Sequence, residues 1–133
     1  MKVYFIGAGP GDPELITLKG KKTIEMSGYC IYAGSLVNPD ILKYCSKDTR
    51  VYDSASMSLG EIINIIEEAR DDNKDVARVH TGDPSIYGAI QEQMSELDKR
   101  GIDYEVIPGV SSFLAAASAL KQELTLPGVS QTV

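Results

Sequence analysis

Three short stretches of the chain hold the residues able to do chemistry: "GAGPGDP" from Gly7, "TGDPSIYG" from Thr81, and "PGVSS" from Pro108. A glycine-rich loop behind an apolar strand raises phosphate binding first. A Walker loop would place a Lys-Ser/Thr pair after its last glycine, to bring an ammonium and a hydroxyl to phosphate and magnesium, but Asp12-Pro13-Glu14 follows here. The dinucleotide fingerprint needs a helix opening at its second glycine and an acid at the end of the second strand. Neither is present. Pro10 and Pro13 remove two potential N–H donors, Asp12 and Glu14 would repel an anion, and the second strand runs into "YAGS" without a carboxylate. The first loop therefore disfavours a phosphate.

The second loop repeats the Gly-Asp-Pro of the first. Asp83 is expected to accept backbone N–H groups at the start of the following helix. Thr81, Gly82 and Ile86 would then offer backbone amides, carbonyls and one apolar side chain to a cleft, a surface suited to a neutral or cationic heterocycle. Ser111 and Ser112 stand at a helix N-terminus, as caps or as ligand contacts. His80, the only histidine, is expected to be a hydrogen-bonded residue at a strand end, with a substrate contact as the alternative.

Short apolar runs alternating with helical patterns predict the elements that position these loops: a single three-layer α/β domain with a five-stranded, mostly parallel sheet flanked by helices. Strands are expected over 3–7, 29–32, 50–53, 75–81 and 103–107. Thr17 caps a helix that runs to Ser27, with a stripe of Ile16, Gly20, Thr23 and Ile24. Asn38 and Pro39 open a short helix. Ser58 and Glu61 form a capping box before a helix whose apolar face is Ile62, Ile65, Ile66 and Ala69, with Met57 stapled onto Ile62. Ile86, Ile90, Met94 and Leu97 mark another helix, and "SSFLAAASAL" a fifth. All three loops follow strand C-termini, the edge at which open α/β sheets bind ligands.

Composition narrows the function classes. The 133 residues carry a formal charge of -6 with a pI near 4.7, which disfavours a nucleic-acid partner. No apolar run approaches a membrane span and no signal peptide precedes the first strand, so a cytoplasmic chain is expected. Cys30 and Cys45 lack CxxC spacing, so neither a metal site nor a disulfide is expected.

"VYFIGAGPGDPELITLKGKKTI", "TGDPSIYGAI" and "PGVSSFLAAASAL", in this order and across essentially the whole chain, resemble the signature motifs of the tetrapyrrole methylase family. "YAGSLVNP" and "LTLPGVSQTV" are most similar to its branch that methylates precorrin-4 or cobalt-precorrin-4 at C11 in cobalamin biosynthesis. The resemblance implies S-adenosyl-L-methionine as methyl donor, held by Pro10, Thr81, Gly82, Asp83, Ile86, Ser111 and Ser112. It implies a tetrapyrrole substrate over Gly9, Gly11, Asp12 and Tyr87. It also implies a homodimer for the full-length protein, with no nucleic acid or membrane partner. Members that act on uroporphyrinogen carry an aspartate, proposed as proton acceptor, where this chain has Ala33, which argues against that reaction. No residue is singled out as catalytic acid or base, because an electron-rich pyrrolic carbon can attack a sulfonium methyl directly and alignment supplies the rate. Lys19, Lys21, Lys22 and Arg50 are candidate donors to the substrate's carboxylates.

Family members have two α/β domains with the methyl donor between them. Residues 1–120 are therefore expected to form the N-terminal domain and 121–133 the start of a connection, and the isolated domain is expected to be inactive alone. A non-catalytic tetrapyrrole- or adenosyl-binding module and another superfamily methylase, such as diphthine synthase, stay open.

Overall fold

In the computed structural model, which describes residues 1–129, 131 and 132, five strands form one sheet. They are β1 (Lys2–Gly7), β2 (Tyr29–Tyr32), β3 (Arg50–Asp53), β4 (Val76–His80) and β5 (Asp103–Ile107). The order is β3-β2-β4-β1-β5 and every pairing is parallel, so the sheet is wholly rather than mostly parallel. The helices are α1 (Leu18–Met26), α2 (Leu59–Asp71), α3 (Ile90–Lys99) and α4 (Ser112–Ala119). No helix is long and apolar enough to cross a membrane among the described residues.

Alternation along the strands sorts the core into two layers, because successive side chains point to opposite faces. Val3 and Phe5 of β1, Tyr29 and Ile31 of β2 and Val76 of β4 pack with Ile62, Ile63 and Ile66 of α2 and Leu97 of α3. Ile6, Cys30, Ala77 and Val79 face the other way and pack with Ile24 of α1 and with Val37 and Ile41. Both cysteines are free, Cys30 fully buried in this second layer.

The local signals mostly act as expected. Thr17 Oγ1 accepts the Gly20 N–H at 2.9 Å, and Gly20, Thr23 and Ile24 form the buried stripe of α1. Ser58 Oγ accepts the Glu61 N–H at 3.2 Å, although only half a capping box forms, since the Glu61 carboxylate accepts the Ser58 hydroxyl instead of reaching back to the backbone. Ile63 joins the buried face of α2 and Ile65 is only partly covered. Asn38 caps the next element as foreseen, but Pro39–Tyr44 is a 3₁₀ helix, too short a stretch to commit to α geometry.

The largest departure lies between β4 and α3. The helix expected from Ile86 begins only at Ile90, because Tyr87 (φ 58°) and Ala89 (φ 52°) are left-handed and cannot continue an α-helix. Between them, Gly88 lies so close to the Pro84 carbonyl that a Cβ would stand 2.0 Å from its oxygen, so only glycine fits the turn. The apolar period at 86, 90, 94 and 97 is therefore a helix with one position too many at its start.

Candidate functional site: three loops at one sheet edge

β4, β1 and β5 are neighbours in the sheet, so the loops after their C-terminal ends meet. The meeting is made by backbone. Gly9 and Gly82 form an antiparallel bridge, with Gly9 N donating to Gly82 O at 3.2 Å and Gly82 N to Gly9 O at 2.8 Å. Added Cβ atoms show how close the chains run: one on Gly7 would lie 2.6 Å from Gly82 O and 2.7 Å from Gly109 Cα, and one on Gly109 would lie 2.3 Å from Gly82 O. Gly7 and Gly109 thus pack against the Gly82 carbonyl where no side chain fits.

Asp83 adds a side-chain tie. Its Oδ1 accepts the Ser85 N–H at 2.8 Å and its Oδ2 the Gly109 N–H at 3.0 Å. The expected role at the start of a helix is corrected: Asp83 closes its own turn and fastens the second loop to the third. Gly82 is likewise not free to present its amide to a ligand, since the bridge to Gly9 uses it, and the Ile86 N–H is spent on Asp83 O at 3.2 Å. Facing outward are the Ile86 side chain, exposed, and Thr81, half-buried.

The first loop is pinned from below. Asp12 Oδ1 accepts the Glu14 N–H at 2.9 Å, capping the 3₁₀ turn Pro13–Leu15, and Asn38 Nδ2 donates to Gly11 O at 2.7 Å. Gly9 (φ 82°) and Gly11 (φ 135°) hold backbone conformations that favour glycine, and Pro10 lies half-buried between them. In the third loop Ser111 is buried and makes no side-chain cap bond to α4, whereas Ser112 is exposed. Tyr87 projects fully into solvent.

A cavity of ≈140 Å³ opens at this edge, between Ala33 and Leu36 after β2, Arg78, His80 and Thr81 of β4, and the 86–88 turn. A larger recess, ≈480 Å³, lies at the opposite edge among Met1, Met26, Gly28, Asn73, Lys74 and Asp75. Open α/β sheets bind ligands at strand C-termini rather than at this edge, and one Asp75 carboxylate oxygen already accepts the Lys2 N–H at 2.8 Å, so the smaller cavity is the better candidate.

One group in the cavity wall escaped the sequence reading and a second was read with the wrong partner. Arg78 is buried, its Nε donating to Gln93 Oε1 at 3.1 Å and its Nη1 to Ile31 O at 3.3 Å. Burial pulls its pKa down to about 10 against a smaller opposing effect of Cys30. A charged residue inside a strand of otherwise apolar pattern was the available signal. His80 corrects its expectation: Nε2 is buried without a hydrogen-bond partner among the described residues. Burial first, and Arg78 second, push its pKa down to about 3, so the imidazole is neutral at physiological pH. The surface cations lie elsewhere: Lys19 pairs with Glu105 at 2.7 Å, Lys21 with Glu25 at 3.8 Å, and Arg50, at the opposite edge, with Glu68 at 2.6 Å.

The family model described as Tetrapyrrole (Corrin/Porphyrin) Methylases matches residues 2–133. A cobalt-precorrin-4 C(11)-methyltransferase of Methanocaldococcus jannaschii is 62% identical over 132 residues, which are 99% of this chain and 51% of that protein. A precorrin-4 C(11)-methyltransferase of Mycobacterium tuberculosis is 50% identical over 133 residues, 100% of this chain and 53% of that protein. Among solved structures, the X-ray structure of a cobalt precorrin-4 methyltransferase superposes with a TM-score of 0.95 at 46% identity, covering 98% of this chain and 55% of that one. The uroporphyrin-III C-methyl transferase of Thermus thermophilus, complexed with S-adenyl homocysteine, gives 0.81 at 32% identity, covering 99% and 53%. The chain spans about half the length of the curated relatives it matches. With the fold, the three joined loops and these matches together, the chain belongs to the tetrapyrrole (corrin/porphyrin) methylase family.

Proposed function

We propose that this chain is the N-terminal domain of an S-adenosylmethionine-dependent methyltransferase acting on a corrin precursor, precorrin-4 or cobalt-precorrin-4, at C11. Residues 1–120 form the domain and 121–133 lead toward a second one; Ser130 and Val133 of that stretch lie outside the described residues. The observation that carries the reading is the 62% identity to a cobalt-precorrin-4 C(11)-methyltransferase across 99% of the chain, loops included. Ala33 in the cavity wall, in place of an aspartate, supports a corrin over a uroporphyrinogen substrate.

The residues present fit the methyl donor. Ala33, Leu36 and Ile86 supply apolar surface beside Arg78, His80 and Thr81, and no carboxylate of the described residues lines the cavity, which suits a flat adenosyl group with few polar contacts. In this reading Thr81 and Ile86 line the donor's side. Gly82 and Asp83 act by holding the second loop against the first and third, Ser111 and Ser112 border it from α4, and Pro10 stiffens the facing turn. Gly9, Gly11, Asp12 and Tyr87 border the tetrapyrrole. The bound donor would supply an electrophilic methyl on sulfur. The chain's own contribution is placement, since a rigid backbone cradle fixes the approach of the two reactants without a proton transfer.

Calorimetry with S-adenosylhomocysteine on this chain and on a two-domain relative tests the proposal. Weak binding and negligible turnover by the chain, both restored when the relative's second domain is appended, are expected. Full-rate methylation by the 133-residue chain alone would overturn the domain assignment.

A further inference from the structure

We propose that Arg78 and His80 form a carboxylate-binding subsite in the wall of the cavity at the C-terminal edge of the sheet. Both side chains are 5% exposed, both line the cavity, and as residues two apart on β4 they point to the same sheet face. Arg78 holds a positive charge in the interior with neutral partners alone, the Gln93 side chain and the Ile31 carbonyl; among the described residues no carboxylate pairs with it. A buried, uncompensated guanidinium is costly unless something neutralises it.

Those two bonds account for Nε and Nη1 and orient the guanidinium. They leave Nη2 without a partner among the described residues, and the Nε2 of His80, at the same cavity, is unpartnered too. Unsatisfied buried polar groups are rare in folded proteins. His80 Nε2 is one such atom, and with the Arg78 guanidinium two positions away on the same strand face and at the same cavity it matches a planar anion with two oxygens. One oxygen would accept from Arg78 Nη2 and the other from a His80 Nε2–H once the imidazole turns toward the cavity, charge-assisted bonds of the kind that hold carboxylates. The wall opposite is apolar, with Leu36 and Ile86, and would take the alkyl stem of such a group. The lysines of α1 do not compete, because they lie on the outer surface, Lys19 already paired with Glu105.

The subsite rests on the proposed function only for the source of the carboxylate: an acid side chain of the tetrapyrrole or the amino-acid end of the methyl donor. His80 is the single histidine, so its imidazole signals in a histidine-labelled NMR sample are unambiguous. Propionate should shift them saturably and raise the His80 pKa, as a nearby anion favours imidazolium, while neutral propionamide should not. Arg78→Lys should weaken propionate binding about tenfold with the amide spectrum otherwise retained, since Lys loses the planar fork. Should that variant fail to fold, Gln93→Leu, which frees the guanidinium to turn, should weaken it in the same direction. Absence of a saturable propionate shift, or an equal shift with propionamide, would overturn the subsite.

The source is read from the same signals. A response to uroporphyrin but not to its methyl ester assigns the substrate, and a response to S-adenosylhomocysteine but not to methylthioadenosine assigns the donor. A propionate response with neither larger ligand bound keeps the subsite and removes the tetrapyrrole reading of this chain.

Discussion

Asp83 Oδ2 accepts the Gly109 N–H at 3.0 Å, joining two loops whose strands are separated in the sheet by β1. The carboxylate thereby spans the strand that carries the first loop, and its second oxygen closes its own turn.

Asp83→Ala removes both bonds and leaves the Gly109 N–H without its acceptor. A loss of about 1–3 kcal/mol is expected, the usual scale for hydrogen bonds to a charged group. Urea unfolding checks it through a lower midpoint at unchanged slope. Asp83→Asn keeps one acceptor and should lose roughly half as much. Equal midpoints for wild type and Asp83→Ala would mean that the loops hold together without it.

The glycines separate contact from conformation. At Gly109 a methyl group would meet backbone at 2.3 Å and at Gly7 at 2.6 Å, so alanine at either should cost about 3 kcal/mol or more, since rigid neighbours must move. Gly11 has no atom within 4 Å of an added Cβ and only its φ of 135° to lose, so alanine there should cost about 1–2 kcal/mol. Thermal melts of the three variants rank them, and a Gly11 variant less stable than the Gly109 variant would refute the packing argument.

His80 should make the fold acid-sensitive. Its folded pKa of about 3 lies below the ordinary histidine value of 6.5, so the unfolded chain takes up a proton that the folded one refuses. Stability is complete above about pH 6.5 and declines toward pH 3 by up to about 1.4 kcal/mol per pH unit from this group. His80→Gln should flatten that part of the profile. Parallel profiles for the two proteins would show that the burial is relieved before the imidazole titrates.

α2 carries a simpler expectation. Ile66 is fully buried in the layer beneath it, and Ile66→Ala should cost about 2–5 kcal/mol. Ile65, partly covered one position earlier, should cost clearly less when truncated, and differential scanning calorimetry of the pair reads the difference.

Strands 29–32, 50–53 and 103–107 and the caps at Thr17, Asn38 and Ser58 were legible because the signals are local: a short apolar run, or a hydroxyl or amide before a helix. The grouping of the three loops was legible from their place after strands. What joins them was not. Gly82 looks the same in sequence whether its amide meets a ligand or Gly9, and the partner of Asp83 lies on another strand's loop. The start of α3 was misplaced because Ile86 keeps the helical period, while left-handed Tyr87 and Ala89 carry side chains that give no sign of positive φ. Arg78 and His80 went unread as a pair because their significance is an absence of partners, which only three-dimensional packing reveals.

β1 lies between β4 and β5, so the strand that comes earliest in this sheet pairs with the two that come latest in it. Until those arrive, Val3, Phe5 and Ile6 have no hydrogen-bonded neighbour and no complete layer to enter. Such non-local pairing slows folding and leaves an apolar strand available to other chains in the meantime. Shortening this protein before β5 would therefore do more than remove one loop of the site: it would expose an edge of β1 along its whole length, and aggregation rather than weak binding would be the first symptom.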